Sequence, residues 1–278
     1  MKTWFITGAS TGLGRQYTLA ALNRGDRVAA ASIDPENMED YKKNYGDQVL
    51  VQYLDVTKKD MVDRCFKEAA EYFGQIDVCV NNAGYMQCGA VEEMSEEEAR
   101  RIFDCNFFGT LFVSQAAAEH MRERRSGVIV QTASLAAIDT IAGEGLYGAS
   151  KKAIHGMSQA MYHELKDFGV YVVILEPGPI ATNMAKRAKL CKREIEDYAE
   201  VVRSERDRWE NQEDFETHNE GDPALCAQAL LKIVDSEEPP KEIALTSFAN
   251  EILRIVTKER LDLADEWQEV TAMADIQS

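Results

Sequence analysis

Residues 7–14, Thr7-Gly8-Ala9-Ser10-Thr11-Gly12-Leu13-Gly14, indicate the fold more directly than any other part of the sequence. They follow the short apolar run Trp4-Phe5-Ile6 and open a helix-like segment. Glycines at such a place let the backbone turn tightly and let a ligand approach without meeting a Cβ atom. The first N–H groups of a helix are unpaired and partially positive, which suits a phosphate group. A strand, a glycine-rich turn and a helix in this order predict a dinucleotide site; a purely structural turn is the alternative.

Short apolar runs alternate with helix-like segments from this turn to about residue 176. The runs are apolar at consecutive positions and rich in β-branched residues, as expected of strands buried on both faces. They are Trp4–Ile6, Val28–Ala31, Val49–Leu54, Val78–Val80, Val128–Val130 and Tyr171–Leu175. The segments between them include Gly14–Asn23, Lys58–Phe73, Ser95–Arg124 and Ser150–Phe168. This alternation predicts an α/β fold with a doubly wound parallel sheet of the Rossmann type.

The pattern changes after Pro177-Gly178-Pro179. Residues 183–220 are highly charged and contain no strand-like run, while Ile195, Tyr198 and Val202 fall at helical spacing. We therefore expect a helical insert here that covers the substrate as a lid.

The end of the chain reads as a continuation of the same domain. Asp222 and Pro223 suit the N-cap and first position of a helix that runs to about Val234. Glu242–Thr246 reads as a last short strand, and residues 249–270 read as a C-terminal helix. No linker is evident, so residues 1–278 are predicted to form one domain with its core in 1–182 and 221–250.

Composition narrows the possible partners. The chain has 48 acidic and 31 basic residues and a formal net charge of −17, which disfavours nucleic acid as a partner. Its six cysteines lack a CxxC pair and its four histidines lack an HExxH pattern, so we expect reduced thiols and no metal. The first residues lack the apolar run of a signal peptide, and no stretch is long enough to span a bilayer. A cytoplasmic protein without a membrane partner is predicted.

Tyr147 and Lys151 are candidates for proton transfer. Residues four apart on a helix share a face, so both side chains can address one ligand. A free phenol titrates near pH 10, and a nearby ammonium group lowers that pKa toward the working range. Taken alone, the pair is more typical of an ordinary helix surface.

Ser134 follows a strand at the carboxyl edge of the sheet, where its hydroxyl could support a developing oxyanion; a plain strand-end serine is the alternative.

Together these motifs resemble the short-chain dehydrogenase/reductase family, in its single-domain branch. Three residues rather than one separate the first two glycines, giving TGxxxGxG, and Tyr147 and Lys151 give YxxxK. The matching stretches occur in the family's order over most of residues 1–182. They are Thr7–Gly14, Leu54-Asp55-Val56, Asn81-Asn82-Ala83-Gly84, Asn106, Ser134, Tyr147–Lys151 and Pro177–Thr182.

The resemblance implies a role for each matching residue. Tyr147 is the acid/base, Lys151 also binds the nicotinamide ribose, and Ser134 holds the substrate oxygen. Asn106 is expected to hold a water that relays protons from Lys151; a buried amide bonded to its own helix is the alternative. The implied cofactor-binding residues are Gly8, Ser10, Gly12, Leu13, Gly14, Ser32, Asp34, Asp55, Val56, Asn82, Ala83, Gly84, Tyr147, Lys151, Pro177, Gly178, Ile180 and Thr182.

The choice between NAD and NADP depends on the end of the second strand. The family's acidic position falls at Ser32 and its usual arginine at Ile33, while Asp34 could bend back toward the ribose. Thr11 is neutral where NADP users often carry a cation. The sequence favours NAD, although Ser32 could also hydrogen-bond a phosphate.

We therefore expect reversible hydride transfer between a nicotinamide and a carbon that carries a secondary alcohol or a ketone. An epimerase or dehydratase on the same fold and a catalytically silent nucleotide sensor are the alternatives. Substrate contacts are expected from Met86-Gln87, Leu135–Leu146 and Met184–Phe215. The family also implies a homodimer or homotetramer formed through the Ser95–Arg124 and Ser150–Phe168 helices.

Overall fold

A computed structural model describes residues 1–203 and 221–276 of the chain. Seven parallel strands form one sheet in the order β3-β2-β1-β4-β6-β7-β9, and β5 pairs with β8 in a separate ladder. The strands are β1 (Thr3–Thr7), β2 (Arg27–Ser32), β3 (Val49–Tyr53), β4 (Val78–Asn81), β5 (Gln87–Cys88), β6 (Gly127–Thr132), β7 (Val170–Pro177), β8 (Lys189–Leu190) and β9 (Glu242–Leu245). The α-helices are α1 (Gly12–Asn23), α2 (Glu39–Tyr45), α3 (Lys59–Phe73), α4 (Glu96–Phe103), α5 (Thr110–Arg124), α6 (Gly145–Leu165), α7 (Pro223–Val234), α8 (Ser247–Glu266) and α9 (Gln268–Ala272). The predicted doubly wound α/β fold is confirmed.

Side chains from the two faces of the sheet enter two separate cores. Trp4 and Ile6 of β1 pack in one core with residues of α1, α2 and α7, whereas Phe5 enters the other with residues of α3, α5 and α6. Successive residues of a strand point to opposite faces, and both faces are covered here. The consecutive apolar positions in the sequence are explained by this double burial.

The predicted helix Ser95–Arg124 is present, but it is not α-helical throughout. Ser95 is the N-cap of α4, where its hydroxyl accepts the Glu98 backbone N–H in a capping box. A π-helical turn, Asp104–Gly109, then separates α4 from α5. Such turns often occur at functional sites, and this one contains Asn106.

The helix that carries the Tyr-Lys pair begins earlier than expected. Its first residue is Gly145 rather than Ser150, so Tyr147 lies in the first turn of α6 and Lys151 in the second. The Asp222 side chain accepts the Ala224 and Leu225 N–H groups at the start of α7, as an N-cap should. The C-terminal helix ends at Glu266, and α9 follows.

The prediction that residues 183–220 contain no strand was wrong. Lys189–Leu190 (β8) pairs in parallel with Gln87–Cys88 (β5), which a two-residue strand does not reveal in sequence. The expected helical spacing corresponds to a 3₁₀ turn, Glu196–Tyr198, followed by a π-helical turn, Ala199–Arg203. The rest of the predicted lid, residues 204–220, lies outside the described residues.

Two buried carboxylates fasten this segment to the core. Glu93 accepts the backbone N–H of Ile195 at 2.8 Å and that of Ala90 at 2.7 Å. Glu98 accepts the Lys192 N–H at 3.1 Å. Burial raises the pKa of the Glu98 carboxyl, but hydrogen bonds from Ser95 and Lys192 outweigh burial and hold it below its usual range. No helix within the described ranges is long and apolar enough to cross a membrane.

Candidate active site

The glycine-rich turn after β1 forms a close-packed cradle at the carboxyl edge of the sheet. Gly8 has a φ of +64°, which favours glycine. A Cβ on Gly14 would lie 2.2 Å from the carbonyl oxygen of Gly8, so no larger residue fits without movement. Thr11 is the N-cap of α1, but its side chain makes no capping hydrogen bond. The first turn of α1 therefore keeps donor groups for a ligand, as a pyrophosphate requires.

The loop after β4 is fastened to this cradle. Thr7 Oγ1 accepts the backbone N–H groups of Asn82 and Ala83, both at 3.0 Å. Asn82 Nδ2 donates to the carbonyl oxygens of Thr7 at 3.1 Å and Gly8 at 3.3 Å. The backbone and side-chain amides of Asn82 thus hold the two loops together.

The ends of β2 and β3 lie on the same edge and carry Ser32, Asp34, Asp55 and Val56. The Ser32 hydroxyl is buried, lies 2.8 Å from the Ser10 hydroxyl, and accepts the Asp34 N–H at 3.2 Å. Asp55 Oδ1 accepts the backbone N–H and the hydroxyl of Thr57. Val56 is buried and packs against Gly109 of the π-helical turn, where an added Cβ would lie 2.6 Å from Val56 Cγ2.

Asn106 is fully buried and joins three parts of the site. Its Oδ1 accepts the Tyr85 N–H at 3.0 Å, and its Nδ2 donates to the Tyr85 carbonyl at 3.0 Å and to Ser150 Oγ at 3.1 Å. The alternative of an amide bonded to its own helix is wrong, because these partners lie on the loop after β4 and on α6. A Cβ built on Gly84 would lie 3.1 Å from Asn106 Oδ1 and 3.6 Å from Lys151 Nζ. Asn106 Oδ1 and Lys151 Nζ therefore both lie beside Gly84.

Ser134, Tyr147 and Lys151 come together beyond the end of β6. Lys151 Nζ donates to the Thr132 carbonyl at 2.9 Å and lies 5.8 Å from the centre of the Tyr147 ring. The Ser134 hydroxyl accepts the Ala136 N–H at 3.1 Å and lies near the Tyr147 hydroxyl. Three side chains from the end of a strand and the start of a helix thus surround one position at the carboxyl edge.

Burial dominates the titration of this pair. It raises the pKa of Tyr147 to about 12, although the neighbouring Ser134 hydroxyl lowers that pKa. It lowers the pKa of Lys151 to about 8. The sequence predicted that Lys151 lowers the pKa of Tyr147. Among the protein's own residues, burial outweighs the groups that lower this pKa, so the net shift is upward. Tyr147 holds its proton at neutral pH.

The segment after β7 returns to the glycine-rich turn. Gly178 N–H donates to the Leu245 carbonyl at 3.2 Å, so Pro177 and Gly178 continue the pairing of β7 with β9. Ile180 forms an isolated parallel bridge with Gly221. Thr182 Cβ lies 3.8 Å from a Cβ built on Gly12. The last predicted cofactor residues therefore lie against the first ones.

Two features of this site were missed in the sequence. The Asn81 amide donates to Ser114 Oγ and Gln131 Oε1, each at 3.0 Å, in a buried network beneath the edge. Arg187 Nη1 donates to the hydroxyl of Thr11 at 3.5 Å, across 176 positions of sequence. Neither contact has a local sequence signal, because each joins separate elements.

The arrangement of a glycine cradle, a Tyr-Lys pair and a strand-end serine agrees with a comparison to protein families. A family model described as short chain dehydrogenase matches residues 2–192.

The chain belongs to the short-chain dehydrogenase family.

Similar proteins support this membership over the full length. Oxidoreductase BOA17 of Botryotinia fuckeliana (strain B05.10) is 33% identical over 272 residues, which cover 97% of this chain and 98% of that protein. A crystal structure of a short-chain dehydrogenase from Streptomyces avermitilis has a TM-score of 0.90 and 33% identity, and the match covers 99% of each chain. A short chain dehydrogenase/reductase from Burkholderia phymatum, solved in complex with NAD, has a TM-score of 0.80 at 23% identity and covers 100% of this chain and 98% of that one. At that identity the likeness shows the fold alone.

Proposed function

We propose that this protein is a nicotinamide-dependent oxidoreductase that interconverts a secondary alcohol and a ketone. The family and the oxidoreductase name of a full-length relative support the general class. The observation that carries the specific reaction is the buried Tyr147, which lies beside the Ser134 hydroxyl and one helical turn from Lys151. This group lies on the edge of the sheet that also carries the glycine cradle.

The residues at this edge fit a dinucleotide. The absence of a Cβ at Gly8 and Gly14 lets the turn pack closely against the loop after β4, and the N-terminus of α1 suits a pyrophosphate. The nicotinamide, when bound, supplies or accepts the hydride. We favour NAD over NADP because Ser32 is already engaged by Ser10 and Asp34, and residues 32–34 include no cation.

The side chains around the reacting carbon have distinct roles. Tyr147 is protonated at neutral pH, so it is ready to donate to a carbonyl oxygen as that oxygen gains charge. The Ser134 hydroxyl is placed to donate to the same oxygen. Lys151 is expected to hold the nicotinamide ribose and to favour the tyrosinate formed after proton transfer, because its ammonium group lies beside the ring.

Asn106 holds the backbone of the site and is the expected start of a proton relay. Its amide fixes Tyr85 and Ser150, and Ser150 Oγ donates to the Tyr147 carbonyl at 2.7 Å. The segment 183–203 is the expected lid, joined to the core through β8 and Glu93. Assembly through the α4–α5 region and α6 stays a prediction from the family.

The decisive experiment combines Tyr147→Phe with a panel of ketones and alcohols and both cofactors. We expect kcat/KM to fall about 10²–10⁴-fold, the usual contribution of a general acid or base. NADH should still bind, because only one hydroxyl is removed and the glycine cradle is left intact. Tyr72→Phe is the matched control, since Tyr72 is 47% exposed on α3. Full turnover by Tyr147→Phe would contradict the mechanism, and product formation without net cofactor oxidation or reduction would favour the epimerase or dehydratase alternative.

A further inference from the structure

Arg187 brings a cation from the predicted lid to the cofactor cradle. Its Nη1 donates to the hydroxyl of Thr11 at 3.5 Å. Its backbone N–H donates to the carbonyl oxygens of Asn183 and Met184, which fixes the chain in a 3₁₀ turn at this point. Thr182, five positions earlier, packs against Gly12. The segment 182–187 therefore lies across the glycine-rich turn.

Within the part of the chain that the structure describes, the ion pairs do not include Arg187. Arg15, the other arginine beside the cradle, differs: its Nη2 lies 2.6 Å from Asp40 Oδ2, and its guanidinium stacks over Tyr41. Arg187 instead approaches the N-terminus of α1, which is itself partially positive. A guanidinium group and a helix N-terminus that lie side by side both favour an anion between them.

We propose that Arg187 binds the pyrophosphate of the dinucleotide, an inference that rests on the proposed function. The pyrophosphate is the anion expected at this turn, and it is common to NAD and NADP. A guanidinium can donate two parallel hydrogen bonds to one phosphate. Because Arg187 belongs to the segment after Thr182, a bound cofactor then holds residues 183–190 against the cradle. Cofactor binding and the position of the lid are coupled through this side chain.

The test measures nucleotide affinity rather than turnover. Wild-type protein, Arg187→Met and Arg187→Lys are titrated with NADH, NADPH and ADP by fluorescence or calorimetry. We expect the dissociation constants of all three nucleotides to rise about tenfold or more in Arg187→Met, as for the loss of a charge-assisted hydrogen bond. Arg187→Lys should recover part of the affinity. Adenosine, which lacks the pyrophosphate, should bind the wild type and Arg187→Met equally.

Lys186→Met is the matched control, because it removes the same charge from an exposed neighbour. We expect less than a twofold change in its dissociation constants. Thermal unfolding without nucleotide should be the same for all variants, since Arg187 is exposed. NADH should then raise the melting temperature of Arg187→Met less than that of the wild type.

The outcomes separate this inference from the proposed function. Unchanged affinities in Arg187→Met, in a protein that binds NADH, would overturn the role of Arg187 and leave the proposed function standing. A loss confined to NADPH would also overturn it, because the contact would then involve the 2′-phosphate. Wild-type protein that binds neither NADH nor NADPH would overturn both proposals.

Discussion

Replacing Lys151 with Met should make the free protein more stable at neutral pH while it destroys the site. Lys151 is 3% exposed, and burial lowers its pKa from the ordinary 10.5 to about 8. This difference between the two pKa values means that burying the charged lysine destabilises the folded state by about 3 kcal/mol. Met has a similar shape and no charge, so it avoids this cost. It loses the hydrogen bond to the Thr132 carbonyl, worth about 1 kcal/mol. We expect a net gain of about 2 kcal/mol at pH 7.

The stability difference between Lys151→Met and the wild type should shrink as the pH rises. Below pH 8 the lysine is charged in the folded and unfolded chains, so the whole cost of burial is present. Between pH 8 and 10.5 only the unfolded chain carries the proton, so the wild type becomes more stable as pH rises. At pH 9.5 the remaining cost is about 1 kcal/mol, which the lost hydrogen bond offsets. The two proteins should then be nearly equal in stability.

Urea unfolding at pH 7 and pH 9.5 measures both quantities. Lys152→Met is the matched control, because Lys152 is the exposed neighbour on the same helix and should show little change at either pH. A Lys151→Met protein that is less stable than the wild type at pH 7 would refute the reasoning. So would a stability difference that stays constant between the two pH values.

Two further predictions concern the cradle and the lid. Gly14→Ala should weaken NADH binding at least tenfold or lower stability by several kcal/mol, because the new Cβ meets the Gly8 carbonyl at 2.2 Å. Gly156→Ala on α6 is the control, because a Cβ there meets nothing within 4 Å, and it should stabilise the protein by about 0.5–1 kcal/mol. Calorimetry compares the stability of the two variants. Equal effects would contradict the steric argument. Glu93→Gln should loosen the lid. The two carboxylate oxygens of Glu93 accept the N–H groups of Ile195 and Ala90, whereas glutamine has only one oxygen, so one of these N–H groups would face an NH₂ donor. Limited trypsin digestion after Lys192 should become faster, and unchanged digestion would contradict the anchoring role.

The fold could be predicted because its signals are local. The run Trp4–Ile6 is apolar on both faces, and residues 7–14 must turn within a few positions, so short windows of sequence carry both features. The N-cap signal at Asp222 was confirmed for the same reason. The two-residue strand β8 was missed, since its pairing depends on a partner about a hundred residues away.

The residues of the candidate site could be named from the sequence, but their pKa values could not. Tyr147 and Lys151 share a helix face by spacing alone, yet their pKa values follow from burial, which depends on the packing of α6 against the sheet. Asn106 was found as a motif, while its partners Tyr85 and Ser150 come from two other elements.

The sequence by itself determined the doubly wound sheet, the glycine cradle and the helical spacing of the Tyr-Lys pair, because periodicity and turn chemistry act between near neighbours. Only the tertiary structure decided that burial raises the pKa of Tyr147, that Glu93 and Glu98 bind the backbone at Ile195 and Lys192, and that Arg187 reaches Thr11. Desolvation and long-range hydrogen bonds arise only when distant segments are packed together, and no single stretch of the chain carries them.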